Sequence, residues 1–183
     1  MKKSIILTSF LLIGAVLSLI FLLMIIESLQ GKIESSNGQE TDVKQLVMEF
    51  SSGKRKDVLA SITSRELILT KENREKEIYL LPEDEFFVSI APYIEGTHPC
   101  AIHNLTTCQG ELPLEEFDVY IKDSEGNVIL DQSVKSYPNG FIDLWLPRNK
   151  TYQVTIEYNG KTAKTEISTF DDSNTCITTM QLS

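Results

Sequence analysis

Three cysteines and two histidines give this 183-residue chain its most distinctive chemistry. His98, Cys100, His103 and Cys108 fall in one short stretch, and Cys176 follows the turn-rich run Asp171-Asp172-Ser173-Asn174-Thr175 far along the chain. Cysteines scattered through a core would not gather in this way. Thiolates are soft donors that select Cu(I), zinc or iron–sulfur clusters. The spacing His-x-Cys-x2-His-x4-Cys is not a zinc-finger spacing, which brackets the metal with closely paired cysteines. Iron–sulfur clusters ordinarily take one more cysteine than this chain has. Three thiolates suit Cu(I), which accepts low coordination numbers, and zinc is the second choice. His98 and His103 add nitrogen donors that tune the site, orient it or capture Cu(II) first.

The same cysteines support a second reading. In an oxidising compartment Cys100 and Cys108 can pair, or either can bridge to Cys176. The odd count then leaves one thiol over. A domain stapled in this way and holding no metal would be a cell-surface interaction module. The two readings also connect, because thiols that reduce Cu(II) to Cu(I) can end as a disulfide. Such stoichiometric reduction is the one redox reaction these residues suggest. There is no Gly-x-Ser-x-Gly, phosphate loop or His-Glu-x-x-His. Cys100 and His103 as a hydrolase pair would lack an orienting third group.

The elements that must position these residues begin after residue 30. Lys2 and Lys3 precede an apolar stretch from Ile5 to Ile26, long enough for the about 20 helical residues that cross a bilayer core. Residues 1–30 read as an uncleaved signal anchor rather than a cleaved signal peptide, because no small-x-small cleavage site follows Ile26. The lysines place the N-terminus in the cytoplasm and the body outside. The protein is then extracytoplasmic and membrane-anchored, or secreted or periplasmic if the segment is cleaved. No cysteine precedes position 100, which excludes lipid attachment near the N-terminus.

Residues 31–41 are polar and read as a flexible tether. Residues 42–84 form a helical and strand N-terminal part. Thr41 or Asp42 caps a helix with Val43, Leu46, Val47 and Phe50 at helical spacing, and Val58, Leu59 and Ile62 suggest a second short helix. Residues 85–183 are strand-like throughout, with Phe86–Ile90, Phe117–Ile121, Val128–Leu130, Phe141–Leu146, Tyr152–Ile156, Thr162–Ile167 and Ile177–Leu182. Asn159-Gly160 between alternating strands is a strong hairpin signal, since both turn positions need positive φ. Pro92, Gly96 and Pro99 put the cysteine–histidine cluster in a loop. The fold class is mainly β (α+β): an antiparallel β-sandwich with a small N-terminal helical segment, preceded by a transmembrane anchor helix. Trp145 belongs to the sandwich core.

The formal net charge is −9, and removing residues 1–30 makes the body more acidic still. Such a body repels phosphates, so nucleic acid is not a partner. Asn104-Leu105-Thr106 and Asn149-Lys150-Thr151 match glycosylation sequons by chance. Glu111, Glu115 and Glu116 read as a solvated face.

Several motifs resemble a known family. Val88-Ser89-Ile90-Ala91-Pro92-Tyr93, Thr97-His98-Pro99-Cys100, His103, Leu105-Thr106-Thr107-Cys108 and Gly110-Glu111-Leu112 are similar to stretches of the CueP family of periplasmic copper-binding proteins. So are Asn139-Gly140-Phe141, Leu144-Trp145-Leu146-Pro147-Arg148-Asn149 and Thr175 to Leu182. The resemblance implies copper binding and copper tolerance in the cell envelope, with Cys100, Cys108 and Cys176 as the metal-binding cysteines. It also implies a helical N-terminal part, a β-rich C-terminal part, a homodimer, and a protein that donates or accepts copper. The best-known relatives are soluble, whereas this chain reads as tethered.

Overall fold

Asp42 opens the first element. Its side-chain oxygen accepts the backbone N–H groups of Lys44 at 3.0 Å and Gln45 at 3.2 Å, donors that a helix start otherwise leaves bare. Helix α1 (Val43–Ser51) then buries Leu46, Val47 and Phe50, the apolar face that the spacing predicts. This computed structural model describes residues 42–183. The expected anchor at 1–30 and tether at 31–41 lie outside the described residues. Among the described residues no helix is long and apolar enough to cross a membrane.

The second short helix expected from Val58, Leu59 and Ile62 is instead strand β1 (Leu59–Ile62), in which Ala60 and Ile62 are buried and Leu59 is exposed. That is a period of two, and so short a segment cannot offset the cost of nucleating a helix. The following strands are β2 (Glu66–Thr70), β3 (Lys76–Leu80), β4 (Glu85–Ile90), β5 (His103–Asn104), β6 (Glu116–Asp123), β7 (Val128–Lys135), β8 (Ile142–Pro147), β9 (Thr151–Tyr158), β10 (Lys161–Ser168) and β11 (Cys176–Ile177). They make sheets in the orders β3-β2-β1-β5, β10-β9-β6-β7 and β11-β4-β8. All named pairings are antiparallel except that of β11 with β4. The β9–β10 hairpin turns at Asn159 and Gly160, with φ of 50° and 76°. The expected last strand is reduced to β11 and an isolated bridge between Tyr93 and Gln181.

Side-chain alternation gives the sheet β11-β4-β8 two packed faces. Phe86, Val88 and Ile90 join Ile142, Leu144 and Leu146 in a core with Phe117, Val119, Ile121, Tyr152, Val154 and Ile156. The alternate residue Phe87 faces a second core with Leu46 and Phe50 of α1 and Ala60, Ile62, Leu67 and Leu69. Trp145, expected in the sandwich core, packs on this second core and meets Phe87 edge-on at 5.2 Å. The described residues are thus mostly β, with mainly antiparallel sheets and one short helix. Where the sequence suggested a single sandwich, one sheet has a core on each face. A third, small cluster of Ala91, Phe141 and Cys176, with Cys100 and Cys108 packed on it, sits where β4 ends and β8 begins.

Candidate metal centre

Cys176 reaches the 98–108 stretch because β11 is laid along β4. Ser89 N–H donates to Thr175 C=O and Ala91 N–H to Ile177 C=O, each at 2.9 Å, with Cys176 opposite Ser89. The N–H groups of Thr175 and Cys176 both donate to Ala101 C=O, at 3.0 and 3.3 Å. Thr175 is buried, and its Oγ1 accepts His103 N–H at 3.1 Å and donates to Ile62 C=O at 2.7 Å. One hydroxyl therefore ties β1, β5 and β11 together.

His103, expected in a loop, is in β5 opposite Ile62 and is fully buried. Its ring lies 4.4 Å from that of Phe141, centroid to centroid. Nδ1 is 3.5 Å from Cys176 Sγ, and Nε2 is buried with no hydrogen-bond partner. Burial, reinforced by His98, pushes the pKa of His103 down to about 3. The ring is therefore neutral at ordinary pH, the state in which imidazole ligates metals.

Cys108 is set by a turn on Asn104, whose side-chain oxygen accepts the N–H groups of Thr106 at 3.1 Å and Thr107 at 3.0 Å, while its carbonyl accepts Cys108 N–H at 3.0 Å. Two residues on, Gly110 N–H donates to Asn139 C=O at 2.7 Å. Here Gly110 and Gly140 pass so closely that a Cβ on Gly110 would stand 2.6 Å from Gly140 O, and Gly140 has φ of +79°. Only glycines permit that approach. The segment leading to Cys100 is held by Glu111, whose carboxylate accepts the backbone N–H groups of Ile94, Glu95 and Gly96, each at 3.0 Å. The bonds from Gly96, Glu95 and Ile94 keep its pKa below the usual range. Glu111 is exposed, as read from the sequence, and it also clamps the loop.

Cys100 and Cys176 are joined in a disulfide with Cα atoms 5.6 Å apart, and Cys108 is free. Cys108 Sγ lies 3.8 Å from Cys100 Sγ. Ligand atoms of Cys100, His103, Cys108 and Cys176 all lie within 4.8 Å of one another. His98 is not in this group; its ring meets Phe141 edge-on, 6.4 Å away, so Phe141 touches both histidines. Behind Cys176, Ser89 lies between Cys176 on one neighbouring strand and Asp143 on the other. The carboxylate of Asp143 accepts the hydroxyls of Ser51 and Ser89, each at 2.5 Å. Desolvation raises its pKa to about 6, against the lowering effect of the two hydroxyls.

The donor set could hold a soft ion: three sulfurs and the neutral imidazole of His103, whose Nε2 is buried without a partner. The sulfurs of Cys100 and Cys176 could serve as thiolate ligands only after their bond is reduced. Sequence reasoning missed the roles of Thr175, named only in the turn-rich run and the resemblance, and of Asp143, named only within a strand; their hydroxyl and carboxyl act through partners distant in the chain. Gly110, Asn139 and Gly140 were visible only as motifs of the resemblance, and Phe141 also as the start of an expected strand.

The fold and site define a β-rich protein whose cysteine–histidine cluster could hold a metal. The sequence matches the family described as "Periplasmic copper-binding protein CueP" over residues 42–181, and the chain belongs to that family. The solved structure titled "Crystal Structure of S.CueP" is 42% identical, with a TM-score of 0.75, over 79% of this chain and 90% of that chain. Comparison with curated proteins finds no match.

Proposed function

We propose that this chain is an extracytoplasmic copper-binding protein that sequesters Cu(I) through the thiolates of Cys100, Cys108 and Cys176, with His103 as an imidazole donor. The convergence of those four ligand atoms within 4.8 Å is the observation that supports it. Three sulfurs and an imidazole suit either Cu(I) or zinc, and membership of a copper-binding family favours copper. His98, outside the group and partly exposed beside Phe141, is assigned to capture of the ion at the rim. The protein acts in copper tolerance as a store or metallochaperone, receiving copper from a donor or passing it to a client. Residues 1–30 anchor it in the cell membrane, residues 42–84 support the fold, and residues 85–183 bear the site. Two copies associate as a homodimer. Starting from the reduced state, the thiols also reduce Cu(II) stoichiometrically. Anaerobic titration of the reduced protein with Cu(I) against a chromogenic chelator tests the reading. One tightly held ion per chain is expected, with affinity at least tenfold weaker after Cys→Ser at any of the three positions. Unchanged affinity in all three variants would overturn it.

The Cys100–Cys176 bond favours a second reading, a disulfide-stapled interaction domain without metal. Mass measurement after alkylation with and without reduction separates the two. A bridge that persists in a copper-loaded sample supports the interaction domain.

A further inference from the structure

We propose that the site is also a thiol–disulfide exchange centre in which Cys100 is the shared sulfur and Cys108 the attacking thiol. The activity needs no metal. Cys108 is the free cysteine, and its sulfur is 3.8 Å from one end of an existing disulfide. Exchange proceeds by attack of a thiolate on a disulfide sulfur, and at 3.8 Å the Cys108 thiol is within reach of Cys100 Sγ. The Cys108 thiolate attacks Cys100 Sγ. The Cys108–Cys100 bond forms, the Cys100–Cys176 bond breaks, and Cys176 leaves with the electron pair as a thiolate. The proton lost by Cys108 to solvent is balanced by one regained at Cys176, so no oxidant or reductant is consumed.

The two ends of the exchange differ in exposure. Cys108 is half-buried, whereas Cys176 is 1% exposed and has His103 Nδ1 at 3.5 Å from its sulfur. With the Cys100–Cys176 bond in place, the remaining thiol reaches solvent. With the Cys100–Cys108 bond in place, it is sealed against His103. The oxidised protein is therefore a pair of interconverting forms, one reactive towards outside thiol reagents and one shielded from them. Cys100 stays oxidised in both.

The test uses the oxidised full chain free of metal, so its outcome does not depend on the copper reading. The protein is quenched in acid, alkylated with N-ethylmaleimide in acidic denaturant, digested with pepsin without reduction, and its linked peptides are read by mass spectrometry. Both Cys100–Cys176 and Cys100–Cys108 pairs are expected, with label divided between Cys108 and Cys176 and absent from Cys100. Prolonged alkylation of the native protein before the quench should remove the Cys100–Cys108 pair, because capture of exposed Cys108 drains the shielded form. The Cys108→Ser variant should show the Cys100–Cys176 pair alone and no label. Label confined to Cys108 from the start overturns the proposal. So does a Cys100–Cys108 pair that survives native alkylation, or a Cys108–Cys176 pair of comparable abundance, which would mean random shuffling.

Discussion

The hydroxyl of Thr175 holds the backbone of His103, accepting its N–H at 3.1 Å while donating to the carbonyl of Ile62 at 2.7 Å. The residue before Cys176 thus fixes the histidine that shares its site. Thr175→Val keeps the shape and strands two buried backbone groups. Each unsatisfied group costs about 1–3 kcal/mol, so urea unfolding should show a loss in that range or above. Thr175→Ser, which keeps the hydroxyl, should recover most of it. Equal stability of the valine and serine variants would remove this role.

Gly110 and Gly140 meet two residues beyond Cys108, and with the Asn104 turn that approach is expected to place the thiol. A methyl group on Gly110 would meet Gly140 O at 2.6 Å, so the backbone of one segment must move. Gly110→Ala should cost about 1–3 kcal/mol by overpacking and weaken copper binding by displacing Cys108. Gly126→Ala gives a control, since nothing lies within 4 Å of its Cβ although φ is +88°. It should lose stability through backbone strain and leave copper affinity unchanged. If Gly110→Ala binds copper like its parent, the close approach does not position the thiol.

Two desolvated groups make stability depend on pH in opposite directions. His103 is depressed to about 3 from an ordinary 6.5. The unfolded chain therefore takes up that proton first, and this contribution, complete above 6.5, is lost as pH falls towards 3. Asp143 is raised to about 6 from 3.8. The folded chain takes up that proton first, so its contribution is complete below 3.8 and lost as pH rises through about 6. Between these values the two oppose each other. Asp143→Asn leaves His103 unopposed. On lowering the pH from about 7 to about 4.5, the variant should lose roughly 2 kcal/mol more stability than the parent. Parallel stability curves for the two proteins would show that Asp143 does not titrate in this way.

Much of the architecture was legible because it is written in local pattern. Asp42 caps the helix, Leu46, Val47 and Phe50 form its buried face, and Asn159-Gly160 makes its hairpin. Leu59–Ile62 misled because so short an apolar run fits either period, and pairing with β2 decides it. The grouping of His98, Cys100, His103 and Cys108 marked a candidate site from spacing alone. Which of them converge was not legible, since that depends on β11 lying parallel to β4, which brings Cys176 to Cys100, His103 and Cys108 and not to His98. Glu111 is surface, as expected, but its clamp role was not legible, because its three partners are backbone N–H groups, which no side-chain pattern announces.

The most direct test of the central claim is X-ray absorption at the copper edge of the reduced, Cu(I)-loaded protein. The site described here predicts Cu(I) with sulfur neighbours at bonding distance, a sulfur count that falls when Cys176 is replaced by serine, and a nitrogen contribution that is lost in His103→Ala. A first shell of nitrogen and oxygen alone, or a sulfur count indifferent to Cys176, would contradict it.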